Sequence, residues 1–137
     1  HLARRDYQHG IAPSDLRLSP DDIFQARLDA SELFMADAVE DYLVALVLAT
    51  RNPGAVDAEL ERWIAFGASP RGTIALDRCA RAKAWLDGRD FVSPEDVRSI
   101  AFDVLRHRVL LTFEAEADGI TPDDVIQRLI ERVPVSA

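Results

Sequence analysis

Ser93-Pro94-Glu95-Asp96-Val97 opens a run in which the next apolar residues fall at Ile100, Ala101, Val104 and Leu105. The first residues spell a helix start. A serine hydroxyl caps a free backbone N–H, and proline suits the first helical position because its missing N–H would have no partner there. Two carboxylates face the positive end of the helix dipole. The apolar residues recur at intervals of three and one, which paints a single stripe on a helix. The same start occurs at Ser19-Pro20-Asp21-Asp22-Ile23 and at Thr121-Pro122-Asp123-Asp124-Val125. Adjacent acids at a helix start do not share a face, so capping explains these pairs better than acid–base or metal chemistry.

Outward from these starts, helices account for most of the chain. The third start leads into Val125, Ile126, Leu129, Ile130 and Val133, again one stripe. A helix of about four turns runs from near Asp37 through Val39, Leu43, Leu46, Val47 and Thr50, and stops at the turn Asn52-Pro53-Gly54. A shorter helix is predicted from Pro20 to Ala30, while Asp57 to Ile64 reads either as a helical turn or as a loop. Asp90-Phe91-Val92 and Leu110-Leu111-Thr112 are expected to form short extended pieces, and no longer run shows strand alternation. The predicted fold is all-α, a small helical bundle. The starts are unevenly spaced, which argues against a solenoid repeat. The first dozen residues and the last three are expected to be loosely ordered.

Composition sets the outer limits. The chain has 137 residues, 48% hydrophobic and 29% charged, enough for one globular domain with a real core. A formal net charge of -8 disfavours a broad nucleic-acid footprint, although one local anion site is compatible with it. A single cysteine, Cys79, forms no intramolecular disulfide and fits a reducing compartment, so a cytoplasmic location is expected. The longest apolar run, Tyr42 to Ala49, is eight residues against the roughly 20 of a membrane span, so no membrane insertion is expected. The chain begins at His1, and Arg4-Arg5 precede Asp6 and Tyr7 rather than an apolar stretch, which reads as a piece of something larger without a signal peptide.

Other chemistry finds little support. His1, His9 and His107 share no metal-ligand spacing with one another or with Cys79, so no metal site is expected. His107 lies near a predicted helix end, where a partly positive ring suits the dipole. Cys79 is expected to be a small core residue, and Trp63, Trp85, Phe66, Phe91, Phe102 and Phe113 to fill the core. Arg78, Arg81, the acids from Asp37 to Asp41 and the pair Asp123-Asp124 are expected on solvated faces.

A fourth hydroxyl-proline pair breaks the pattern. Gly67-Ala68-Ser69-Pro70-Arg71-Gly72 begins a helix that runs through Ile74, Leu76, Cys79, Ala80 and Leu86 and stops near Gly88, yet its first turn holds arginine and glycine and no acid. A cation there opposes the dipole by roughly 0.3–1 kcal/mol, and glycine in the turn costs up to about 1 kcal/mol relative to alanine. Free N–H groups, a positive dipole end and a guanidinium together make an anion site, and phosphate matches the arginine fork best. Charge along the chain agrees: residues 1–68 carry six basic and twelve acidic groups, 69–110 eight and six, and 111–137 two and six. The competing reading is that Arg71 pairs with a distant carboxylate or lies in solvent.

Gly67-Ala68-Ser69-Pro70-Arg71, then Arg78 and Ala80-Arg81-Ala82, then Gly88-Arg89-Asp90-Phe91-Val92-Ser93-Pro94-Glu95-Asp96-Val97 and Val104-Leu105-Arg106-His107-Arg108, resembles the C-terminal helical lid of MoxR-type AAA+ ATPases. The likeness extends upstream to Ala38–Val47 and Ala49-Thr50-Arg51 and downstream through Gly119, covering roughly 36 to 133. It implies a lid domain over 36–133, with 1–35 as a linker and short helix leading in from an absent ATPase core and 134–137 as a tail. It further implies that Arg71 is the sensor 2 residue, which reaches the γ-phosphate of ATP bound by the core, with Ser69, Pro70 and Gly72 beside it. Glycine at 72, where alanine is expected, departs mildly from the family pattern.

No G-x-x-x-x-G-K-[ST] phosphate loop occurs, and the only lysine, Lys83, lies between Ala82 and Ala84. The chain by itself is therefore expected neither to bind ATP tightly nor to hydrolyse it, whereas a full-length protein of this kind would be an ATPase using ATP and magnesium. The resemblance implies partners as well: its own AAA+ core, a homo-oligomeric ring that is often a hexamer, and proteins with a von Willebrand factor A domain matured in a chaperone-like way. The alternative is a stand-alone helical protein-interaction domain without a nucleotide role. A helix-turn-helix DNA reader is weaker still, because six acids interrupt the arginines between 71 and 108.

Overall fold

Paired acids and a hydroxyl set the helix starts as the sequence requires. The structure is a computed structural model that describes residues 17–135. Helices α1 (Pro20–Ser31), α5 (Pro94–Leu105) and α7 (Pro122–Arg132) each begin with a full capping box, in which Ser19, Ser93 and Thr121 accept from the third helical N–H and Asp22, Asp96 and Asp124 reach back to the cap. Between them lie α2 (Asp37–Arg51), a 3-10 turn (Pro53–Ala55), α3 (Ala58–Trp63), α4 (Pro70–Leu86) and α6 (Phe113–Ala117). The segment from Asp57 that was open between turn and loop is a six-residue helix, capped by Asp57, whose carboxylate accepts from Glu59 and Leu60 N–H. Expected loose order in the first dozen residues, and the histidines at 1 and 9, fall outside the described residues.

Two small ladders tie the helices together. β1 (Phe34–Met35) pairs in parallel with β3 (Phe91–Val92), and β2 (Ile64–Phe66) pairs antiparallel with β4 (Leu110–Leu111). The extended pieces near 91 and 110 were expected, while their partners at 34 and 64 were not. Helix α4 runs through the middle, packed against α5, α1 and α2, and α7 closes the other side against α5, α2 and α3. Tyr42, Leu46, Leu60, Leu76, Leu105, Ile126 and Leu129 are buried at the centre.

Glycine sets two helix ends. Gly88 and Gly119 take φ of 75°, and Arg89 and Ile120 N–H close back on Ala84 and Ala115 carbonyls after α4 and α6. Arg89 then clamps α4 to α5: its guanidinium bonds Asp96 Oδ2 at 2.7 Å and Oδ1 at 2.5 Å. Asp96 is only 2% exposed, and the Arg89 hydrogen bonds hold its carboxyl down at about 2.

Several expected core positions lie elsewhere. The buried stripe of α4 is Gly72, Leu76, Ala80 and Ala84, so Cys79, expected in the core, is exposed, as are Ile74 and Leu86 on the same helix. A ridge of small residues lets α4 approach its neighbours closely and turns the larger apolar side chains outward. Among the aromatics, Trp63 and Phe102 pack on the core, but Phe66, Phe91 and Phe113 are exposed, and Trp85 is only partly covered. Arg81 is not solvated either: it bonds Asp77 at 2.9 Å, reaches the Leu33 carbonyl and faces Glu40 at 3.7 Å.

Candidate functional site

The segment from Gly67 to Gly72 is held against the end of α2 by two features. Thr50, fully buried in the last turn of α2, donates to Val47 O at 2.6 Å and accepts from Ala68 N–H at 2.9 Å. Gly67 lies directly on the same backbone, where an added Cβ would stand 2.2 Å from Thr50 O and 2.7 Å from Arg51 N. Only glycine fits so close an approach. The start of α4 is thus fixed by a buried hydroxyl and a backbone contact from a helix formed some twenty residues earlier in the chain.

At that fixed start the usual capping chemistry is missing. Ser69 has extended backbone angles suited to a cap, yet its hydroxyl accepts no first-turn N–H, unlike Ser19, Ser93 and Thr121. Gly72 N–H turns back to Ser69 O at 2.8 Å, and Arg71 N–H bonds no group among the described residues. No acid lies in the first turn. Arg71 is exposed and, among the described residues, has no carboxylate within salt-bridge distance. Most arginines elsewhere in α3 to α7 are paired, as with Arg62 to Glu114, Arg106 to Asp123 and Arg128 to Asp57.

Arg71, Ser69, Pro70 and Gly72 therefore share one turn, with Arg71 exposed, its N–H without a partner among the described residues, and Gly72 buried. A Cβ at Gly72 would meet Ala68 Cβ at 3.3 Å and Arg108 Cδ at 3.7 Å, so the first turn rests on the Arg108 stem. Arg108 donates to Val104 O at 2.7 Å and also touches His107 Nε2. Arg108 thus serves a carbonyl in the last turn of α5, with His107 beside it. Such an arrangement suits an anion with several oxygens, through charge-assisted bonds from the guanidinium and a backbone donor at the positive dipole end. The turn carries no carboxylate, and its one side-chain oxygen is the Ser69 hydroxyl, so its charge suits one edge of a phosphate chain better than the metal beside it. Thr50 and Gly67 were not singled out for this site; a hydroxyl inside a buried apolar stripe was the one signal that pointed to Thr50.

Comparison with known proteins places this turn inside a matched region. The model of the AAA lid domain matches residues 57–129. Chaperone MoxR1 of Mycobacterium tuberculosis is 40% identical over 93% of this chain and 34% of its own length. Protein MoxR of Methylorubrum extorquens is 41% identical over 71% of this chain and 30% of its own. A solved structure of a candidate ATPase from Cytophaga hutchinsonii matches with a TM-score of 0.86 and 30% identity, over 99% of this chain and 43% of that one. The chain thus spans about a third of the length of these curated relatives.

Proposed function

We propose a function from one premise: the chain belongs to the AAA lid domain family, and its similarity runs to the MoxR proteins. It acts as the lid of a MoxR-like AAA+ ATPase, over residues 36–133, and Arg71 is its sensor 2 residue. One observation carries the reading: Arg71 stands exposed and, among the described residues, without a carboxylate partner at the uncapped, acid-free start of α4, on a turn that Thr50 and Gly67 hold in place.

ATP and magnesium bound at a separate core would supply the phosphoryl chemistry. The residues of this chain contribute position and charge. Arg71 offers the γ-phosphate a charge-assisted fork, the open first-turn N–H adds a donor, and the rigid Gly67–Ser69 segment passes the resulting pull to α2 and α4. Contact with the terminal phosphate favours a closed lid, and loss of that phosphate removes the contact and frees the lid. Such a cycle, in a cytoplasmic homo-oligomeric ring with six subunits by resemblance, would drive chaperone-like remodelling of partner proteins, among them proteins with a von Willebrand factor A domain.

The test is Arg71→Ala in the protein that carries the nucleotide-binding core, measured as ATP turnover. A fall of tenfold or more supports the reading. Turnover unchanged within twofold overturns it.

A further inference from the structure

A second feature, separate from Arg71 and independent of its role, lies along the groove between α1 and α4. Ile23, Arg27 and Ala30 form one wall, and Arg78, Trp85 and Leu86 the other, around a trough of about 600 Å³. The α1 residues recur at helical spacing over seven positions and those of α4 over eight, so the trough follows both helices for about two turns, or roughly 10 Å. Its lining is largely apolar, and Ile23, Trp85 and Leu86 keep 42%, 36% and 76% of their surface. An open apolar trough of this shape between two helices suits the apolar face of a third.

Charge on the rim narrows the occupant. Among the described residues Asp77 is the one carboxylate lining the groove, and Arg81 bonds it at 2.9 Å. Arg27 lies over its own neighbour Phe24, 5.8 Å from the ring centroid. Neither Arg27 nor Arg78 has a carboxylate within salt-bridge distance among the described residues. Two exposed guanidinium groups, with no counter-charge among the described residues, thus line an apolar groove from its two helices, on a chain whose net charge is -8.

We infer that this groove binds an amphipathic helical segment of a partner protein, with apolar side chains in the trough and Asp or Glu side chains against Arg27 and Arg78. The sign of the expected preference is informative. The overall field of an acidic chain favours a cationic peptide, so a preference for an acidic one reports the local rim and not the net charge.

The experiment titrates the 137-residue chain with two fluorescent synthetic peptides of about four helical turns each, alike in their leucine stripe. One flanks the leucines with glutamate and the other with lysine. The glutamate peptide is expected to bind at least tenfold tighter, Arg27→Gln with Arg78→Gln to abolish that preference, and Arg27→Glu with Arg78→Glu to reverse it. Both arginines are exposed, and thermal melting confirms that each variant keeps its fold. Equal binding of the two peptides, a preference that survives both double variants, or tighter binding of a single-stranded oligonucleotide than of the glutamate peptide overturns the inference.

Discussion

The backbone N–H of Ala68 donates to the buried hydroxyl of Thr50 at 2.9 Å, joining the last turn of α2 to the segment that ends in Arg71. Thr50 accepts this bond while donating to Val47 O, so both sides of the hydroxyl are used. Thr50→Val removes the acceptor and leaves a buried N–H without a partner. It should lower unfolding free energy by roughly 1–3 kcal/mol in a urea titration, whereas Thr50→Ser, which keeps the hydroxyl, should cost less than about 1 kcal/mol.

The glycines on either side of Ser69-Pro70 should respond to very different extents. Gly67→Ala pushes a methyl group to 2.2 Å from the Thr50 carbonyl and should destabilise by roughly 1–3 kcal/mol. At Gly72 an added Cβ would stand 3.3 Å from the buried Ala68 Cβ, a tight contact with an atom that has little room to move, so this crowding should offset the helix-propensity gain and Gly72→Ala should change stability by less than about 1 kcal/mol. Thermal melts of the two variants separate the effects.

The start of α4 gives up stability for its open charge. Ser69→Asp supplies a cap and a carboxylate at the positive dipole end and should stabilise the chain by about 0.5–1 kcal/mol. In a protein with the nucleotide-binding core, the same carboxylate would compete for Arg71 and repel a phosphate, so ATP turnover should fall severalfold. A rise in both stability and turnover would count against an anion at this turn.

Asp96 should make stability depend on acid. The Arg89 hydrogen bonds lower its carboxyl from 3.8 to about 2 in the folded chain. Its contribution is therefore full above the unfolded value and is lost as pH falls, between about pH 4 and pH 2. Asp96→Asn should cost on the order of 1–3 kcal/mol at neutral pH and flatten that part of the stability profile, measured by urea titration at each pH.

The helix starts were legible because capping is local: Ser93 and Asp96 lie three residues apart and meet without help from the rest of the chain. The oddity of Arg71 was legible for the same reason, as acids absent from one turn. The buried face of α4 was legible only in part: Leu76 and Ala80, named on its run, are buried, whereas Cys79, expected in the core, is exposed, because close helix packing selects the small residues Gly72 and Ala84. The pairing of Phe34 with Phe91, and the bond from Ala68 to Thr50, join residues far apart in sequence and leave no periodic trace. Exposed Phe91 alternates with buried Val92 in its two-residue strand, whereas Phe66 is exposed beyond a register shift that separates it from buried Ile64.

The most direct measurement compares nucleotide affinities of the core-containing protein and its Arg71→Ala variant, using a non-hydrolysable ATP analogue and ADP. Contact with the γ-phosphate alone predicts that the variant loses at least tenfold in affinity for the analogue while ADP affinity stays within twofold. Equal loss on both nucleotides, or no loss on either, would contradict the role assigned to Arg71.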